Sequence, residues 1–322
     1  MTSYSKRLRS ILVPLDGSSV AEQALPVAVT IAERARCKIK LVIVHQPLPG
    51  IEPGPAHNRM ELAMQKANRD YLRSVVARFR DRLGRMLSSA VLRGPVAKTL
   101  ARYSSELGTD LLVMTTHGRG GIRRAWLGSV ADQLVRTSEV PVLVVRAHDH
   151  DKTTSLDLSE ILVPLDGSPL AEAVLEPVTA LARLWDAEIS LMQVVSPVVF
   201  TSDPLFRVPA GYSEQATGIR RDAAQDYVRD VAERLRGTGV RASGVAVLGG
   251  GVAETLLDLA LPGRVGLVAI ATHGRGGARR LMLGSVADKL VRAAEVPVLV
   301  VRPAGGRVRR RPRRRATAGR GG

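Results

Sequence analysis

Ile11 to Ser18 reads ILVPLDGS, and the same eight residues return at Ile161 to Ser168, 150 positions later. Three further strings repeat at a spacing of 156: THGRGG at Thr116 to Gly121 and Thr272 to Gly277, LGSVAD at Leu127 to Asp132 and Leu283 to Asp288, and EVPVLVVR at Glu139 to Arg146 and Glu295 to Arg302. The order is kept, and the second copy gains six residues between its first string and its glycine-rich one. A repeat of this period decides the domain count before any other reading. It divides the 322 residues into domains at 1–147 and 158–303, joined through the polar stretch HDHDKTTSLDL and followed by a tail at 304–322.

Within one copy, short apolar runs alternate with longer helical patterns, the mark of βαβ units and a parallel sheet. In the first copy strands are expected near Ser10–Leu15, Ile39–His45, Ser88–Leu92, Asp110–Thr115 and Pro141–Val145. Long breaker-poor helices are expected over about Asn58–Arg82 and about Ser213–Arg236. Ser19 with Glu22 has the spacing of a capping box, and Ser168–Pro169 that of an N-cap followed by proline at the first helical position. The expected fold class is α/β: two tandem, doubly wound, five-stranded parallel-sheet domains, which bind ligands beyond the carboxyl ends of their strands. The fifth strand of each copy, VPVLVV, is too apolar to be left as an open edge.

Composition bounds the function. Apolar residues at 45% and charged residues at 24% describe a folding chain, and no stretch reaches the roughly 18 apolar residues of a membrane helix. Aromatic residues at 3% leave few stacking platforms for single-stranded nucleic acid. Cys37 is alone and cannot form an internal disulfide, and the first apolar run, Ile11 to Leu15, is too short for a secretory leader, so a reducing cytoplasm is expected. The formal charge is +17, but eight arginines follow Pro303 and without them it falls to +9. That tail reads as a solubilising extension with weak, salt-sensitive attraction to polyanions.

Three chemistry-bearing features leave strand ends in both copies. Asp16 and Asp166 follow strand one, where a carboxylate can accept from a ribose hydroxyl or a base amine, or simply build an Asp-Gly turn. The loop after strand four carries glycines and Arg119, Arg123, Arg124, Arg275, Arg279 and Arg280. It ends at Gly128-Ser129 and Gly284-Ser285, where Ser-x-x-Asp marks a helix start whose free amides favour phosphate. His117 and His273 lie in the same loop and are read as holding it together rather than as catalysts. No GxxxxGK[ST] string occurs, and no dinucleotide glycine fingerprint follows strand one. The HDHD cluster is read as solvated linker rather than metal site.

These strings, in this order, resemble the universal stress proteins, whose ATP-binding members carry Gly, two residues, Gly, nine residues, then Gly-Ser or Gly-Thr. Gly118 to Gly128 and Gly274 to Gly284 have the nine-residue spacing, followed by Ser129 and Ser285; the family's first glycine is Thr115 in one copy and Ala271 in the other. The resemblance implies ATP, with magnesium, as ligand. It places Pro14 and Asp16 beside the adenosine, the Gln46 backbone at adenine, and Met114, Gly118, Gly128, Ser129 and Val130 along ribose and phosphates. In the second copy these roles fall to Pro164, Asp166, Ser196, Ile270, Gly274, Gly284, Ser285 and Val286. It also implies pairing of the two fifth strands as a dimer inside one chain, and two such chains could associate further. The functional expectation is a nucleotide-dependent regulator of stress or growth arrest that acts on a protein partner, set against slow ATP hydrolysis in the same cleft or a scaffold with a polyanion-binding tail. Against hydrolysis, only Asp16 and Asp166 offer a carboxylate for water or metal.

Overall fold

Runs of Val, Leu and Ile buried on both faces can only be strands covered by helices on either side. A computed structural model describes residues 7–47, 54–116, 127–147, 156–200, 211–272 and 283–303. The first domain contains β1 (Ser10–Leu15), β2 (Lys38–His45), β3 (Leu87–Arg93), β4 (Leu111–Thr115) and β5 (Val142–Val145). Between them run α1 (Ser19–Glu22), α2 (Ala24–Ala35), α3 (Pro55–Arg78), α4 (Arg80–Leu83), α5 (Val96–Glu106) and α6 (Ser129–Thr137). The second domain has β6 (Glu160–Pro164), α7 (Leu175–Trp185), β7 (Glu188–Val195), a hairpin of β8 (Val199–Phe200) and β9 (Gly211–Tyr212), and α8 (Glu214–Arg236). It closes with β10 (Ala242–Leu248), α9 (Val252–Leu259), β11 (Leu267–Ala271), α10 (Ser285–Ala293) and β12 (Val298–Val301). The hairpin occupies the connection between β7 and α8, where the repeat offset changes from 150 to 156.

Among the described residues the two domains share one ten-stranded sheet, in the order β10-β7-β6-β11-β12-β5-β4-β1-β2-β3. Each half is wholly parallel and reverses its winding at its first strand, the doubly wound arrangement expected. The halves join antiparallel at β5 and β12, with Leu143 opposite Leu299 and Val144 opposite Val298. The apolar fifth strands thus cover each other, as their composition requires. One core layer packs α2, α3, α7 and α8 against the sheet and includes Leu25, Leu72, Val178 and Val228; the other packs α5, α6, α9 and α10 and includes Leu100, Leu134, Leu256 and Leu290. Cys37 is buried, and burial pushes its thiol up to about 12.

Three features bind the halves beyond the strand pair. Arg136 holds Asp132 at 2.8 Å and reaches Asp288 at 3.4 Å, while Arg292 holds Asp288 at 2.9 Å and reaches Asp132 at 3.3 Å, a closed ring of four charges on α6 and α10. Arg146 donates to the Ala293 carbonyl at 3.1 Å and Arg302 to the Thr137 carbonyl at 3.1 Å, the same contact made from each side. Farther out, Arg34 lies 4.7 Å from the Trp185 ring and donates to the Leu184 carbonyl.

Three local expectations are corrected. Ser19 and Glu22 do not form a capping box: Ser18 is the N-cap of α1, its hydroxyl accepting from the Ala21 amide at 3.1 Å. Glu22 instead accepts from the Tyr71 hydroxyl at 2.7 Å and from Arg78 at 2.6 Å. Ser168 does accept from the Ala171 amide, but Pro169 opens a turn and a 3₁₀ segment, Ala171–Val174, rather than an α-helix. Ser129 and Ser285 are the first residues of α6 and α10, not their caps; Gly128 and Gly284 hold the cap position, and Asp132 and Asp288 go to the charge ring.

Candidate functional site

The crevice at the carboxyl end of the first half begins with a missing hydrogen-bond donor. Asp110 donates its amide to the Ser10 carbonyl, so alternate residues of β1 from Ser10, including Pro14, face β4. Pro14 has no N–H to give, and the pairing of β1 with β4 extends only over Ile11–Leu111 and Leu12–Leu112. On its other side β1 stays paired with β2 as far as Leu15. Pro164 repeats this in β6, whose pairing with β11 stops at Leu162–Val268. The strands therefore part where the winding reverses, the place such sheets open for ligands.

On one wall of the opening stands Asp16. Its Oδ1 accepts from the Ser18 amide at 2.9 Å and the Ser18 hydroxyl at 2.6 Å, and Gly17 between them has φ 83°, a conformation that favours glycine. Asp166 accepts from the Ser168 amide at 2.9 Å, with Gly167 at φ 82°. The turn-building role of these aspartates is therefore real and fixes their direction. Behind them, Tyr71 and Arg78 of α3 hold Glu22, and Tyr227 and Arg234 of α8 hold Glu172 in the same way. Burial together with the neighbouring carboxylate drives both tyrosine hydroxyls well above their usual range.

The other wall is the return from β4 into α6. The Gly128 amide donates to the Thr116 carbonyl at 2.6 Å, and the Gly284 amide to the Thr272 carbonyl at 2.8 Å, so the two ends of each glycine-rich loop are clasped together. A Cβ on Gly284 would stand 3.0 Å from that Thr272 oxygen. Neither α6 nor α10 has a side-chain cap, and Ser129 and Ser285 are exposed. Among the described residues no side chain caps the first-turn amides of either helix, and the helix dipole adds positive potential there.

Of the residues the sequence singles out, Pro14, Asp16, Gly128, Ser129 and Val130 lie on these two walls, as do Pro164, Asp166, Gly284, Ser285 and Val286. Gln46 and Ser196 follow β2 and β7 and are exposed. Met114 and Ile270 are buried in the core under α5, α6, α9 and α10. Thr115 and Ala271 end their strands, in register with Val145 and Val301. Gly118, Gly274, the loop arginines, His117, His273, the HDHD cluster and the arginine tail fall outside the described residues. Sequence reasoning missed the Thr116 and Thr272 clasps and the Glu22–Tyr71–Arg78 strut. The strut had a signal: a Tyr and an Arg seven positions apart in both long helices.

The two sites are unequal at one end. In the first domain the buried His45, last in β2, meets the buried Glu61 of α3 at 2.7 Å, with Arg93 at 3.8 Å from the same carboxylate. The corresponding residues of the second domain are Val195, Thr217 and Leu248; the Thr217 hydroxyl donates to the Ser213 carbonyl and accepts from the Val198 amide.

Comparison with known proteins agrees with this architecture. A universal stress protein of Mycobacterium tuberculosis is 27% identical over 313 residues, covering 93% of this chain and 99% of its own length. A counterpart from Mycolicibacterium smegmatis is 27% identical over 309 residues, covering 91% and 97%. The crystal structure of a universal stress protein from Archaeoglobus fulgidus superposes with a TM-score of 0.64 at 17% identity, covering 91% of this chain and 98% of that one. Among the described residues no helix is long and apolar enough to cross a membrane. The model of the universal stress protein family matches residues 7–146 and again 158–302, and the chain belongs to that family.

Proposed function

We propose that each half binds one adenine nucleotide, ATP accompanied by magnesium, and that occupancy governs which protein partner the chain engages during stress or arrested growth. The carrying observation is the pairing, in both copies, of an uncapped helix start with a fixed aspartate across strands that part at a proline. The residues fit the ligand by chemistry: the Ser129 and Val130 amides and the Ser129 hydroxyl suit phosphate oxygens, Gly128 holds the turn that presents them through its bond to the Thr116 carbonyl, and Asp16 suits a ribose hydroxyl. Pro14 and the Gln46 backbone would flank the base, with Met114 and Gly118 along the sugar and phosphates. Pro164, Asp166, Ser196, Ile270, Gly274, Gly284, Ser285 and Val286 do the same in the second half. Magnesium enters as the counter-ion of the phosphates. Pro303 is the last described residue, and the arginine tail beyond it adds weak attraction to polyanions.

Calorimetric titration of Mg-ATP into the full chain tests this reading, alongside Asp16→Asn and Gly284→Ala. Asp16→Asn keeps an oxygen for the Ser18 turn while removing the charge. Gly284→Ala places a methyl against the Thr272 carbonyl. Each should weaken its own site about tenfold or more and spare the other. Absence of saturable heat from well-folded wild-type protein would refute nucleotide binding altogether.

A further inference from the structure

The two outer edges of the sheet, β3 and β10, are built differently. Gln225 of α8 reaches over β10, donating to the Gly244 carbonyl at 3.0 Å and accepting from the Ala246 amide at 2.9 Å. One side-chain amide thus occupies the two backbone groups an added strand would use. The plug needs a close helix, and Gly244 permits it: a Cβ there would lie 2.5 Å from the Val228 carbonyl oxygen.

Neither element of the plug exists at β3. Register matches Arg93 to Leu248 through their partners His45 and Val195, so Ser89 stands for Gly244 and Val91 for Ala246. The shared Tyr and Arg of the struts align α3 with α8 at an offset of 156, which puts Arg69 in the place of Gln225. Arginine has only donors and cannot accept from the Val91 amide. Around this open edge the charges also differ. Lys66 stands where the second half has Asp222, and Arg93 where it has Leu248. Leu62, Lys66 and Arg69 are exposed at helical spacing on one side of α3, and Leu62 is 62% exposed.

From this we propose that β3 is a docking edge for an extended acidic segment of a partner protein, which adds as an eleventh strand while its carboxylates meet Lys66, Arg69 and Arg93. The outward amide and carbonyl groups of Ser89 and Val91 supply the ladder, the basic stripe supplies the choice of partner, and Leu62 covers an apolar side chain of the guest. A second copy of this chain fits less well, because antiparallel pairing of two β3 strands would bring Lys66 and Arg69 against their own counterparts. The inference is independent of nucleotide occupancy.

The test uses the full chain and a fluorescein-labelled peptide of alternating Glu and Val, with alternating Lys and Val as its counterpart, read by anisotropy. The acidic peptide should bind and the basic one should not. Val91→Pro removes the outward amide, and Lys66→Glu with Arg69→Glu reverses the stripe on exposed positions that folding does not use; each should weaken binding about tenfold or more. Hydrogen exchange at the Val91 amide should slow when the peptide is present. Both variants retain the arginine tail, so binding unchanged in them would place the peptide elsewhere and overturn the proposal. A concentration-dependent dimer abolished by Val91→Pro would overturn it in favour of self-pairing, and absence of binding to the wild type would overturn it outright.

Discussion

Ser129 and Ser285 stand where stability and binding should pull in opposite directions. Both are exposed, neither caps its helix, and both sit in the first turn, where a negative side chain interacts favourably with the helix dipole. Ser129→Asp with Ser285→Asp should therefore stabilise the fold by about 0.5 kcal/mol per site. The same carboxylates would face incoming phosphates and should weaken Mg-ATP binding by more than about tenfold. Denaturant midpoints and calorimetry on one preparation check both signs; gain or loss of both together would show that the helix starts are not the phosphate wall. At this scale the sequence was readable in identity but not in role. Asp16, Gly128 and Ser129 stand out through their repeat, yet Ser129 and Glu22 had to be placed before their partners could be known. A serine one residue past a glycine satisfies the same pattern whether it caps the helix or begins it.

At the scale of elements, the long helices α3 and α8 show how one pattern is held in two ways. Over its first half α3 buries a single side chain, Glu61, whereas Leu72 and Val75 anchor its second half. Removing one partner of a buried hydrogen bond leaves the other unsatisfied, and the loss is larger where a carboxylate is involved, so Glu61→Ala should cost about 2 kcal/mol. Thr217→Ala, which removes only neutral hydrogen bonds at the matching position, should cost about 1 kcal/mol. Urea titrations of the two variants check the ranking, and hydrogen exchange should show fraying confined to the first half of α3 in the former. In the first half the strands were legible to within a residue, most plainly where burial on both faces leaves uninterrupted Val, Leu and Ile runs, as in VLVV of β5 and LLVM of β4, whereas the β8–β9 hairpin of the second half was not legible. The buried Glu61 was not legible: in a helix rich in Arg, Lys and Gln, one carboxylate looks like any other solvated charge until its histidine is found across the sheet.

For the molecule as a whole, the seam between β5 and β12 carries the assembly. Leu143 and Leu299 face each other in the centre of the sheet and are fully buried. Leu299→Lys should cost about 4 kcal/mol or more and leave β5 as an exposed apolar edge, visible as a lower melting temperature and concentration-dependent aggregation. An unchanged melting temperature would mean the halves do not depend on this seam. That the fifth strands must be covered followed from composition, since an uncovered VPVLVV run invites self-association, and that they cover each other was implied by the family resemblance. The ring of Asp132, Arg136, Asp288 and Arg292 did not follow, because Ser-x-x-Asp offers the aspartate a local use that it does not take.

Because β5 and β12 run in opposite directions, every strand that one half gives to the ten-stranded sheet points opposite to every strand given by the other. Sites at the carboxyl ends of the strands must then open on opposite rims of a single slab. Two ligands so placed cannot touch, exchange a group or share an ion. A flat partner reads one rim at a time. Among the described residues, any conversation between the halves has to cross the seam through the short strand pair, the ring of charges beside it, the Arg146 and Arg302 contacts and the Arg34–Trp185 contact farther out.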